Sequence, residues 1–132
     1  MNSDSEIKEC PFPWPNAEKG YSLFARELED DELIAFHGTA EANLQSIIND
    51  GFKFGESLQS ISFARQSALA LGYGSAARMK ESPKGCVLVV RFTEPIPRLG
   101  VGVETSIIYV YKTDEQPKVI GYCIIPADYQ FV

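Results

Sequence analysis

The sequence predicts an α+β fold, and three observations carry that reading. The chain has 132 residues, which suits one domain of the usual ~100–150 residues. Strand and helix patterns are interleaved along most of its length. The last third reads as strand only, which separates the arrangement from a doubly wound parallel sheet. Hydrophobic residues make up 45% and charged residues 23%, the composition of an ordinary globular protein. No apolar run approaches the ~20 residues of a membrane helix. The polar start MNSDSEIKEC lacks the apolar core of a signal peptide.

Taken in order, residues 9–20 (ECPFPWPNAEKG) alternate prolines with Phe12 and Trp14. Proline at every second place excludes a helix and a central strand, so an extended strap pinned by its aromatics is expected. Residues 23–33 suit a short helix, with Leu23 and the acids mostly facing water. Residues 33–36 (LIAF) read as a buried strand ending at His37. Thr39 is placed to cap a helix over 40–49, with Leu44, Ile47 and Ile48 at helical spacing and Gly51 as its left-handed stop. A short strand over 60–63 follows. An alanine-rich helix is expected over 66–79, weakened by Gly72 and Gly74 at ~1 kcal/mol each. After a turn at 81–85, residues 86–92 (CVLVVRF) form the clearest strand. Residues 107–111 and 119–125 are two more strands, joined as a hairpin by the polar turn over 113–117. The reading divides the chain into an acidic, proline-containing leader over 1–32 and a domain over 33–132.

Charge is unevenly placed. Residues 1–32 hold nine acidic and three basic side chains, whereas 33–132 hold nine of each. The net charge of −6 thus lies in the first quarter, as a solvated leader or a docking surface for a basic partner. It opposes nonspecific binding to nucleic acid or anionic lipid, which depends on Lys and Arg neutralising phosphates. Cys10, Cys86 and Cys123 leave one thiol unpaired in any disulfide scheme, and His37 is the only histidine. A zinc site is therefore not expected. Cys86 and Cys123 read as small core residues, and reduced thiols in a cytoplasmic compartment are expected.

Two motifs compete for chemistry. GYGSAA (72–77) matches the dinucleotide fingerprint in form, but it follows helix-like sequence where the fingerprint requires a strand. FHGT (36–39) lies between a strand and a helix, where an imidazole can donate one hydrogen bond and accept another. The plain alternative is a histidine with only a structural role.

The series FHGTAEANLQSIINDGF, SISFARQSALALGYG, GCVLVVRF, VETSIIYVY and GYCIIPADY, spanning about residues 33–129, resembles the His-Tyr-Glu class of ADP-ribosyltransferases. That class includes the catalytic domains of diphtheria toxin, exotoxin A and the poly(ADP-ribose) polymerases. The resemblance implies a split β-sheet core with short flanking helices, and NAD as co-substrate without a metal. It implies that His37 holds the adenosine-side ribose, with Gly38 and Thr39 beside it, and that backbone groups of Gly38 pair with the nicotinamide carboxamide. Tyr73 would stack on the nicotinamide ring, and Glu104 would contact the ribose that carries it. The plain reading of Glu104 is an exposed strand residue, and that of Tyr73 a helix-end aromatic packed on the core.

The family's second stacking tyrosine falls on Ser62. Tyr73 is then expected to stack alone or with Phe54 or Tyr21. The arginine-specific Glu-x-Glu signature is missing, because Gly102 stands two places before Glu104. The reading is transfer of a single ADP-ribose to a protein acceptor by a cytoplasmic monomer. It fits an effector, a phage-type modifier of host machinery or a resident enzyme. An NAD glycohydrolase and a catalytically silent binding module are the rivals.

Overall fold

Among the described residues, seven strands and two helices carry the chain: β1 (Lys8–Cys10), β2 (Ile34–Ala40), α1 (Leu44–Asp50), β3 (Ser60–Ala64), α2 (Ser67–Ala76), β4 (Gly85–Arg91), β5 (Gly102–Glu104), β6 (Ile107–Tyr111) and β7 (Lys118–Ile125). The computed structural model describes residues 7–12, 23, 24, 28, 30–52, 60–95, 102–104, 107–111 and 116–129, with Ser60, Gly102–Glu104 and Tyr111 given by their backbone. The strands form one mixed sheet in the order β1-β7-β4-β2-β3-β6-β5. Only β1 and β7 run parallel; every other pair is antiparallel. The expected α+β class holds.

Strand alternation divides the core between the two faces of this sheet. On one face, Ile34, Phe36, Ala64, Val87, Val89, Cys123 and Ile125 pack together with Ala70 and Leu71 of α2. On the other, Ala35, Ile61, Phe63, Val90, Ile108 and Val110 surround Phe52, with Ile47 of α1 against them. The buried residues of α2 are Ser67, Ala70, Leu71, Gly74 and Ser75, the i, i+3, i+4, i+7, i+8 stripe of a helix lying on a sheet. Most of them are small, so the helix axis comes close to β2 and β4. A Cβ on Gly38 would stand 2.1 Å from the Ala70 carbonyl oxygen and 2.5 Å from the Gly74 nitrogen. One on Gly74 would meet Ile125 Cδ1 at 2.6 Å and the Cys86 carbonyl oxygen at 2.9 Å. Gly74 therefore seats a helix on a sheet and does not cradle a phosphate.

The pairing is uneven along the sheet. β2 pairs with β4 over its whole length, from Ile34↔Arg91 to Ala40↔Gly85. On its other side it pairs with β3 at Phe36↔Ala64 alone. The sheet is thus two well-made ladders, β1-β7-β4-β2 and β3-β6-β5, joined at one point and parted beyond it.

Several local expectations are corrected. The LIAF strand does not end at His37: β2 runs on to Ala40, and Thr39 pairs with Cys86. Thr39 is therefore no helix cap. Its hydroxyl instead accepts a hydrogen bond from Asn43 Nδ2 (2.9 Å), and a 3-10 turn over Glu41–Asn43 leads into α1. Gly51 does stop α1, with φ of 81°. α2 ends at Ala76, short of Met79, and contains both Gly72 and Gly74. Leu23 does not face water: it is buried, and its N–H donates to Ser67 Oγ (2.8 Å). Phe24 stacks on Phe36 with centroids 5.4 Å apart.

The strands β6 and β7 form no hairpin. Both edges of β6 are taken, by β3 and β5, and β7 pairs with β4 and β1. Burial explains the choice, since Cys123 and Ile125 join Val87 and Val89 in one cluster. Gln116, within the expected turn, grips the chain just after α1: its Oε1 accepts from the Phe52 N–H (2.8 Å) and its Nε2 donates to the Phe52 carbonyl (2.6 Å). Of the expected strap, Phe12 packs edge-on against Tyr129 at 5.0 Å, whereas Trp14 lies outside the described residues.

Candidate functional site

The parting of β2 from β3 opens a cleft of about 420 Å³ lined by Phe36, His37, Gly38, Ser62, Ala64, Tyr73, Ile107 and Tyr109. Four sequence-predicted residues meet here, although they come from three separate segments: His37 and Gly38 from β2, Ser62 from β3 and Tyr73 from α2. Thr39 lies in an adjoining cavity of about 290 Å³, with Asn43, Ser46, Ile47, Gly51, Phe52 and Ile61. His37 lines both spaces and stands between them.

Geometry fixes the state of the His37 ring. Its Nδ1 lies 2.8 Å from the carbonyl oxygen of Ser62. A carbonyl can only accept, so Nδ1 carries the proton and donates. In the neutral ring this leaves Nε2 as an acceptor, suited to a hydroxyl. The ring packs edge-on to Phe52 (5.1 Å) and tilted against Phe63 (5.4 Å). Burial in this aromatic setting pushes its pKa below the ordinary value, and the bond to Ser62 opposes the shift. The imidazole also braces the parted strands at the point where ladder hydrogen bonds stop.

Tyr73 is 48% exposed, one of two large hydrophobic side chains left open to solvent among the described residues. It is not packed into the core, so the plain reading of a helix-end core aromatic fails. Its position follows from the helix: the small stripe of α2 faces the sheet and Tyr73 lies off that stripe, above the cleft. Gly38 is held by close packing against Ala70 and Gly74, so the helix that carries Tyr73 and the strand that carries His37 are fixed together.

Glu104 is described by its backbone. It ends β5 and pairs with Ile107, a residue of the cleft wall, which sets Glu104 at the register position next to the cleft on the outer strand. Among the described residues lining the cleft none is acidic. Phe54 and Tyr21, the aromatics expected to help Tyr73, lie outside the described residues.

Three residues of the cleft escaped the sequence reading, Ala64, Ile107 and Tyr109. The sequence IIYVY is apolar or aromatic at every position, so alternation alone does not say which residues face which side. The structure does: Ile108 and Val110 are buried in the opposite core, leaving Ile107 and Tyr109 to the cleft. Asn43 and Ser46 of the adjoining cavity were also missed. Their signal was the i, i+3 spacing from Asn43 to Ser46, one face of a helical turn.

Among the described residues, no group of three or more His, Cys, Asp or Glu side chains is placed to hold a metal ion, and no helix is long and apolar enough to cross a membrane. No protein-family model matches the chain, and none of the curated proteins matches it in sequence.

Proposed function

We propose that this protein is an NAD-dependent mono-ADP-ribosyltransferase that modifies a macromolecular acceptor, a protein, from the cleft between the two half-sheets. One observation carries the reading. His37, Gly38 and Tyr73, singled out from the sequence because they match that class of enzyme, line a common cleft with Ser62, which stands where the class has its second stacking tyrosine, beside the register position of Glu104.

Two cavities that share His37 as a lining residue, taken as two lobes, suit the two ends of a bent dinucleotide. The lobe with Tyr73 offers an aromatic face for the nicotinamide ring. His37 Nε2 accepts from a ribose hydroxyl at the junction. The lobe with Thr39, Asn43 and Ser46 supplies hydroxyl and amide groups for the adenosine end. Holding NAD bent exposes the bond between nicotinamide and ribose and restrains the reactants in one geometry. That bond breaks with its electron pair leaving on nicotinamide, and C1′ of the ribose becomes oxocarbenium-like. The role assigned to Glu104 is to stabilise that positive charge, which exists only in the transition state. The same carboxylate takes the proton of the acceptor's attacking group as the new bond to C1′ forms.

Ser62 on the cleft wall, where the family has its second stacking tyrosine, favours a second reading, a binding module for NAD or ADP-ribose without turnover. Incubation with tagged NAD and candidate lysates separates the readings. Labelling of a discrete protein band supports the transferase. Nicotinamide release with no labelled band supports a glycohydrolase. Calorimetric binding with neither supports the module.

A further inference from the structure

We infer that Tyr109 is the second wall of an aromatic slot, opposite Tyr73, that grips the nicotinamide ring; this rests on the NAD reading of the cleft. Tyr109 and Ser62 are direct partners across the β3–β6 ladder, so their Cβ atoms share one sheet face at about 5 Å. Both line the cleft with Tyr73. The flanking Ile108 and Val110 are 0% and 1% exposed in the opposite core, and this pins Tyr109 to the cleft side.

Ser62 is a small side chain directly across the ladder from Tyr109. The aromatic wall missing from β3 is thereby supplied from the neighbouring strand at the same register. Aromatic surfaces from α2 and β6 then bound a space for one planar ring. The oxidised nicotinamide ring is cationic, and tyrosine faces attract a cation as well as a flat surface. ADP-ribose is the same molecule without that ring, so it does not use the slot.

The experiment is calorimetric titration of the full chain with NAD and, separately, with ADP-ribose. The proteins are wild type, Tyr109→Phe, Tyr109→Ala and the exchange Ser62→Tyr with Tyr109→Ser. The slot predicts that Tyr109→Ala raises the Kd for NAD about tenfold (1.4 kcal/mol) and leaves that for ADP-ribose within twofold. Tyr109→Phe retains NAD affinity, and the exchange restores it by moving the ring back across the ladder. Unchanged NAD affinity in Tyr109→Ala overturns the slot, and so does equal loss of both ligands, which marks a structural role. Should Tyr109→Ala fail to fold, the exchange decides: near-wild-type NAD affinity supports the slot and a tenfold loss overturns it. A wild-type protein that binds neither ligand overturns the NAD reading and the slot with it. Wild-type binding combined with insensitivity to Tyr109 removes the slot alone.

Discussion

The two sides of β2 differ in nearly everything except their shared backbone. Toward β4, seven consecutive residues pair, from Ile34↔Arg91 to Ala40↔Gly85. Glycines let α2 sit directly on that side of the sheet. Toward β3, one residue pair joins the strands, and a side chain, His37, spans the gap to the Ser62 carbonyl. The closed side supplies rigidity and the parted side supplies a cleft. The residues assigned to the proposed chemistry stand on the parted side, and the close packing of α2 on β2 and β4 fixes their backbone from the closed one. The sheet keeps a buried cluster on each face alongside the cleft.

If the parted side is where chemistry happens, its largest response should come from Glu104. Glu104→Ala is expected to lower nicotinamide release or acceptor labelling ~100-fold or more, with the Kd for NAD nearly unchanged, because a charge present only in the transition state loses its partner. Full activity in that variant would remove Glu104 from the mechanism and weaken the contrast between the sides.

The closed side should answer in stability. Gly38→Ala and Gly74→Ala each place a methyl group against backbone atoms with no room for it, and a loss of about 1–3 kcal/mol is expected from such overpacking. Urea denaturation measures it. Ser62→Ala, on the parted side and exposed, should change stability by less than ~0.5 kcal/mol. Equal losses at all three positions would erase the distinction.

The His37 brace sharpens the comparison through pH. Its folded pKa lies below the unfolded value, so the unfolded chain binds the extra proton first as pH falls. The contribution is fully present above pH 6.5, the ordinary histidine value, and is lost progressively as pH drops below it. One proton limits the slope to about 1.4 kcal/mol per pH unit. Thermal melts between pH 7 and 5 should show this decline in wild type and a shallower one in His37→Gln. Identical slopes would mean that the ring is not held neutral across the gap.

The smallest effect concerns thiols on the closed side. Burial pushes Cys86 and Cys123 up to about 12, which leaves almost no thiolate at neutral pH. Cys10, on the edge strand and half-buried, is raised as well, chiefly by desolvation, yet it is the most accessible of the three. Limited maleimide labelling of the native protein should mark Cys10 first, with Cys86 and Cys123 reacting only on unfolding.

What could be read from the sequence follows the range of the forces involved. β4, α1 with its Gly51 stop, and the core positions of Cys86 and Cys123 are set by local pattern and were legible. Local pattern cannot say which strand lies next to which. The β6–β7 hairpin was expected because the strands are adjacent in sequence, yet burial of Cys123 and Ile125 against Val87 and Val89 sends β7 across the molecule. The extension of β2 through Gly38 was hidden for a related reason. Glycine has poor strand propensity, and only the close approach of α2 explains it there. In the site, His37, Gly38 and Tyr73 were found by motif, and Ser62 as the position where the motif is broken. Tyr109 depends on a cross-strand register that no single segment encodes.

The account turns on NAD entering the gap between β2 and β3, and the most direct measurement is a two-dimensional NMR titration of isotope-labelled protein with NAD. The account predicts saturable shifts concentrated on residues 36–39, 62–64, 73 and 107–109, with the β1–β7 edge unmoved. Saturable shifts confined to that far edge, or none at millimolar NAD, would contradict it.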